Sequence, residues 1–323
     1  MLSEGSRKKI AGESVAAARK SPLRKPPAPL EPAISITLPA NTEGPRPVTK
    51  KSPLADRLAA VRERIAAAAA KAKRDPADIT LIAVTKYAAP EAIRELLTLG
   101  VGDLGENKVQ QLQQRAAQIG EFHARLLSRG AAGTASGSAA LGSAAPGSAA
   151  SGDTIAQKVR WHMIGHLQRN KVKPLLPLVS AVHSVDSLRL AEEIDVIATK
   201  MGKKQQVFLQ INASEEPQKF GVAVGASVHL AEQMATMPGL QLVGVMTMAA
   251  YDASERDIRQ TFARTREIFE EIRWNKIGGP AFKHLSMGMT GDFEHAIAEG
   301  STMVRIGTAI FGPKPDDMPE DEE

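Results

Sequence analysis

Ile79-Thr80-Leu81-Ile82-Ala83-Val84-Thr85-Lys86-Tyr87-Ala88-Ala89-Pro90-Glu91 is the stretch that decides the fold. Its apolar run from Ile79 to Val84 is short and partly β-branched, as in a strand buried on both faces of a parallel sheet. Pro90 suits the first turn of a helix, where its missing N–H costs nothing, and Glu91 suits that helix's positive end. Lys86 therefore falls where a buried strand meets the loop before a helix. Lost hydration at such a place favours the neutral amine, which is the form that attacks an aldehyde.

Upstream, Leu54, Leu58, Val61 and Ile65 recur at helical spacing and predict an amphipathic helix to about Lys73. Downstream, strand and helix alternate. Helix Glu91–Leu99 precedes a strand in Val101–Asn107, and a long helix is expected over Lys108–Leu127. Strands follow at Val159–His166, Ala181–Val185, Gln206–Asn212, Leu240–Met248, Phe282–Met287 and Met303–Ile310. Helices are expected at Leu188–Met201, Ala226–Met237, Glu255–Arg273 and Asp292–Glu299.

Counting from Ile79 gives eight strands, and residues 52–129 with 153–312 total roughly 240, close to a (β/α)8 TIM barrel. A doubly wound dinucleotide fold needs a glycine-rich turn after its first strand, and Thr85-Lys86-Tyr87 is not one. The barrel is the expected fold, with the amphipathic helix at its N-terminus.

A barrel's active site lies at the carboxyl ends of its strands. Lys86, Asn107, His166 and Asn212 all end strands there. The seventh strand runs into Ser286-Met287-Gly288-Met289-Thr290-Gly291, and the eighth carries Arg305-Ile306-Gly307-Thr308. The loops after these two strands commonly hold a phosphate, and they offer glycines and hydroxyls. A lysine, a phosphate site and an arginine together suit pyridoxal 5'-phosphate, which needs a partner for its aldehyde, its anion and its ring nitrogen.

Five stretches carry a resemblance: Ala83-Val84-Thr85-Lys86, Gly105-Glu106-Asn107, Trp161 through Lys171, Leu285-Ser286-Met287-Gly288-Met289, and Val304 through Gly312. With these the chain resembles the pyridoxal phosphate homeostasis proteins, whose fold is the alanine-racemase-like barrel of PLP fold type III without the second domain. The resemblance spans about residues 79–312. It implies a Schiff base at Lys86, phosphate contacts from Ser286, Gly307 and Thr308, and Arg305 facing the ring nitrogen. Asn107 and Asn170 are further implied members of the site. Lys108-Val109-Gln110-Gln111 departs from the family's Tyr-Val-Gln-Glu after Gly-Glu-Asn, which puts a role for that tyrosine in doubt. Thr290 replaces a usual serine and keeps the hydroxyl.

Composition narrows the rest. Residues 1–51 hold ten Lys/Arg and four Asp/Glu, leaving 31 basic and 32 acidic residues for a nearly neutral body. That basic, proline-rich tail is expected to be disordered, as is a Gly/Ala/Ser insertion at 130–152, and residues 315–323 form an acidic tail. The cofactor domain is then 52–314. Absence of cysteine rules out thiolate chemistry and fits a cytoplasmic protein, as does the lack of a long apolar run.

His162 and His166 have a helical metal-ligand spacing but lie on a strand, so no metal site is expected. Asp292 and Glu294 read as helix-start charges rather than a catalytic pair. Met246, Met248, Met287 and Met289 read as core filling. Nucleic acid has no reading surface here. Two-base racemisation needs a group on each face of the substrate carbon, and Tyr87 and Tyr251 are the only tyrosines. A carrier of the cofactor, monomeric or weakly dimeric and with PLP-dependent apoenzymes as partners, is expected over an amino-acid racemase.

Overall fold

The structure, a computed structural model, describes residues 52–134 and 159–313. The tail 1–51, most of the insertion and the acidic tail lie outside the described residues.

The strands, in chain order, are β1 (Thr80–Val84), β2 (Asp103–Glu106), β3 (Arg160–Met163), β4 (Val179–Val185), β5 (Gln205–Asn212), β6 (Val222–Ala223), β7 (Leu240–Met246), β8 (His284–Ser286) and β9 (Met303–Ile306). Every pairing is parallel, and the order β1-β2-β3-β4-β5-β7-β8-β9 returns to β1 as a closed ring. The two-residue β6 only extends the end of β5. The fold is thus a (β/α)8 barrel whose seventh and eighth strands are β8 and β9.

Helices α1 (Pro53–Lys71), α2 (Pro90–Thr98), α3 (Val109–Thr134), α4 (Val172–Leu175), α5 (Leu188–Lys200), α6 (Ser227–Thr236), α7 (Glu255–Trp274), α8 (Phe293–Ala298) and α9 (Thr308–Phe311) accompany them. Among the described residues no helix is long and apolar enough to cross a membrane. The amphipathic helix α1 buries Leu54, Leu58, Val61 and Ile65 and packs on α8 and α9, sealing the junction between the first and last units. Arg57 Nε reaches the Ile310 carbonyl at 2.6 Å, and Arg74 donates to the carbonyls of Ile297 and Ser301.

Several expected boundaries move, two of them by four residues or more. The last strand stops at Ile306, and Thr308–Phe311 forms a helical turn whose N–H groups at Ile310 and Phe311 bond the Gly307 carbonyl. A short, mostly apolar segment such as Met303–Ile310 does not itself distinguish strand from helix, and Gly307 supplies the break. Helix α3 continues to Thr134, five residues into the stretch expected as a flexible insertion, since alanine carries a helix forward despite nearby glycine.

Side chains on alternate strand positions divide between two cores. One set, including Leu104, Trp161, Met163, Leu285 and Val304, packs between barrel and helices. A small separate cluster of Ala181, Phe208, Val243 and Met246 also forms, with Met303 against it. A barrel interior is ordinarily filled by branched apolar side chains. Here a buried polar chain runs from Arg305 to Asp103. Arg305 donates to Ser286 Oγ at 2.7 Å, Ser286 Oγ lies 3.0 Å from His183 Nδ1, and His183 Nε2 lies 3.0 Å from His162 Nδ1. His162 Nε2 meets Asp103 Oδ1 at 3.0 Å, and Arg160 closes on the same carboxylate.

The two ends of the chain determine its direction. An ionised carboxylate only accepts, so His162 Nε2 donates, and its Nδ1, if the ring is neutral, must accept. His183 then donates from Nε2 and accepts at Nδ1 from the Ser286 hydroxyl, whose oxygen in turn accepts from Arg305. Burial drives the His183 pKa far down, which keeps that ring neutral. Burial also pulls Arg305 down to about 10, still charged near neutrality.

Burial raises the Asp103 pKa, but the hydrogen bonds and charges of His162 and Arg160 outweigh it and hold the carboxyl at about 2. Because this lies below the unfolded value near ~3.9, the carboxylate stabilises the fold above about pH 4. The contribution fades as pH falls toward about 2. Asp103→Asn is expected to cost about 2 kcal/mol near neutrality and to flatten the acid limb between about pH 4 and 2. Urea unfolding across a pH series checks this; parallel acid limbs for both proteins contradict it.

Candidate functional site

Lys86 sits two residues past the end of β1 in a turn closed by the Ala88 N–H on the Thr85 carbonyl at 2.8 Å. Pro90 then begins α2, as its fixed φ favours. Lys86 is half-buried, with Nζ 4.7 Å from the centre of the Tyr87 ring. Thr85, fully buried, anchors the turn to β2 through its N–H on the Gly105 carbonyl at 2.9 Å.

β1 lies between β2 and β9, with Ala83 opposite Leu104 on one side and Ile306 on the other. Gly307 consequently lies against β1. A Cβ there would come within 3.3 Å of both Val84 Cβ and the Val84 carbonyl, so a side chain would crowd the strand that carries Lys86. Thr308 is exposed at the same edge. The turn after β8 is tied to β9 by the Arg305 N–H on the Gly288 carbonyl at 3.0 Å. Gly288, at φ +97°, occupies backbone space that favours glycine.

Arg305 is buried, its guanidinium held by Ser286 and by the Thr247 carbonyl at 2.9 Å. Ser286 was expected to reach a phosphate. Its side chain is instead fully buried, with the hydroxyl engaged by Arg305 and His183. Asn107 follows β2 and presses its carbonyl against Gly165, where a Cβ would approach to 2.2 Å. Its Oδ1 is buried with no hydrogen-bond partner among the described residues. A buried amide oxygen without a partner is uncommon and suits a site that receives a ligand group. Asn170 is exposed in the single turn after β3.

Other readings also find their place. His166 stacks on Phe220 at 3.9 Å, its Nδ1 3.2 Å from Asp186 Oδ2, and among the described residues no cluster suits a metal ion. Asp292 accepts the Met289 N–H, whereas Glu294 pairs with Arg64 of α1, so the two carboxylates do not work together. Met246 and Met287 are core, but Met289 is exposed.

Residue-by-residue reading missed Arg115. From α3 it reaches the Thr85 carbonyl, the Lys86 carbonyl at 3.3 Å and the Ala88 carbonyl at 3.1 Å, while pairing with buried Glu106. Burial raises the Glu106 pKa, opposed by Arg115 and by the Thr85 hydroxyl. Nothing local in a helical arginine marks it as a partner of a loop about thirty residues earlier.

The profile of the family described as "Alanine racemase, N-terminal domain" matches residues 57–315. The pyridoxal phosphate homeostasis protein of Aquifex aeolicus is 33% identical over 259 residues, covering 80% of this chain and 97% of that one. The crystal structure of a protein from Bifidobacterium adolescentis matches with a TM-score of 0.67 and 36% identity, covering 80% of this chain and 94% of that one. PipY of Synechococcus elongatus PCC7942, solved with PLP bound, matches at 0.62 and 27%, covering 80% of this chain and all of that one. With curated relatives this similar over nearly their whole length, the chain belongs to the pyridoxal phosphate homeostasis protein family, built on the alanine racemase N-terminal barrel.

Proposed function

We propose that this protein holds pyridoxal 5'-phosphate reversibly as a Schiff base on Lys86 and passes it on, without being a dedicated catalyst. One observation carries the reading: the Lys86 turn and the Gly307–Thr308 turn lie side by side on hydrogen-bonded β1 and β9. PipY with PLP bound and the homeostasis proteins among the relatives support the same ligand here.

The residues divide the work by chemistry. Lys86 supplies the amine, which condenses with the aldehyde and releases water. Gly307 lets backbone N–H groups approach the phosphate, and the exposed Thr308 hydroxyl, with Thr290, donates to it. Because the Ser286 hydroxyl is engaged below, we reassign it from the phosphate to the support of Arg305. Arg305 faces the ring nitrogen and, being protonated, leaves that nitrogen without a proton. The cofactor's ring supplies electron withdrawal when bound, and an unprotonated nitrogen weakens it. Asn107, with its unpartnered oxygen, completes the rim, and Asn170 borders it.

Borohydride reduction of the loaded protein is expected to fix the cofactor on the peptide containing Lys86. Label on Lys108 or Lys171 overturns the assignment, and brisk racemisation of an amino acid overturns the carrier role. Thr308→Ala should weaken pyridoxal 5'-phosphate about tenfold while leaving pyridoxal nearly unchanged, since a hydrogen bond to a charged group is worth ~1.5–3 kcal/mol. Equal losses for both ligands refute a phosphate contact. We assign binding to the barrel alone, so a chain lacking residues 1–51 and 135–152 should keep its cofactor affinity in equilibrium dialysis. A large drop with the barrel still folded places one of those segments in the site.

A further inference from the structure

We infer that Arg115 and Glu106 are positioning residues that set the Lys86 turn for bond formation without touching the cofactor. The inference rests on the reading of Lys86 given above. β1 ends at Val84 and α2 begins at Pro90, so the carbonyls between them have no continuous ladder to satisfy them. The Arg115 guanidinium meets three of them, Thr85, Lys86 and Ala88, from its two terminal nitrogens. A planar fork of donors suits this task, whereas a single ammonium could not reach all three.

Glu106 holds the fork from below. Its side chain is fully buried at the end of β2, pairs with Arg115 and accepts the Thr85 hydroxyl. A buried ion pair contributes little net stability because desolvation offsets its attraction, but it can fix geometry strongly. Here the geometry it fixes belongs to the residue preceding the lysine, the lysine itself and the turn behind it. Covalent attack depends steeply on such placement, since small displacements of a reacting group cost large factors in rate and equilibrium. The proposed phosphate and ring-nitrogen contacts come from β8 and β9, which the clamp does not touch; of the proposed rim it adjoins Asn107, through the backbone beside Glu106. The pair should therefore act on covalent capture and leave noncovalent binding alone.

The test compares pyridoxal 5'-phosphate with 4'-deoxypyridoxine 5'-phosphate, which has a methyl group in place of the aldehyde and cannot react with an amine. Arg115→Lys keeps the charge for Glu106 and gives up the fork. Its preference for the aldehyde over the deoxy analogue should fall by about tenfold, the effect of losing one to two hydrogen bonds. Affinity for the deoxy analogue should stay within about twofold, and the borohydride-fixed fraction at Lys86 should fall in step with the preference. The double variant Glu106→Gln/Arg115→Gln removes both buried charges together and should behave alike. An unchanged preference, or equal losses for both ligands, overturns the inference, as does loss of the fold in both variants by circular dichroism. Wild-type protein that shows neither label at Lys86 nor any preference for the aldehyde defeats the parent reading, and the positioning role with it.

Discussion

The pairing of the first strand with the last is the constraint on which the rest of this structure depends. Thr80, Leu81, Ile82 and Ala83 lie opposite Met303, Val304, Arg305 and Ile306. That register closes the ring and sets Gly307 against Val84. It also joins chemistry separated by more than two hundred residues, an amine from one end of the chain and a glycine-threonine turn from the other. Helix α1 guards the junction by packing on α8 and α9, with Arg57 and Arg74 bonding carbonyls around the last unit. A slip of one residue in that register would turn Arg305 out of the barrel and Val304 into it.

Burying Arg305 sets a second constraint. An arginine buried to 3% exposure needs partners for its donors, and among the described residues no carboxylate bonds it directly. The barrel answers with a relay of hydroxyl and two imidazoles that ends on Asp103, itself paired with Arg160 toward solvent. The hydroxyl at the near end of the relay, itself held by His183, keeps the guanidinium in place. The interior gives up the usual branched filling along this line and keeps it only around Phe208, Val243 and Met246.

Two devices thus meet at the carboxyl end of the barrel. One rises through the interior to Arg305; the other reaches in from α3 through Arg115 and Glu106 to the Lys86 turn. They share no side chain, so under the proposed function grip on the cofactor's ring and phosphate is separable from capture of its aldehyde. Under that proposal the covalent and noncovalent contributions can be set independently.

Much of this was legible without coordinates. Eight alternating units were readable because parallel barrel strands are continuous apolar runs, and their helices carry a clear 3.6-residue period. The places of Lys86, Arg305, Gly307 and Thr308 in the barrel were readable because position in the repeat assigns a place in space. The end of the last strand was not, because Val304 through Phe311 is mostly apolar on both sides of Gly307, which alone marks the change. Nor was Ser286, whose place at the end of the seventh strand fits the start of a phosphate loop equally well; only its distances to Arg305 and His183 put the hydroxyl inside the barrel. Arg115 and the histidine relay belonged wholly to the tertiary structure. The sequence by itself determined which residue types stand at each strand end, since that follows from local pattern. Which of them touch was decided only by closure of the ring, because hydrogen bonds act over about 3 Å and link residues that the chain holds far apart.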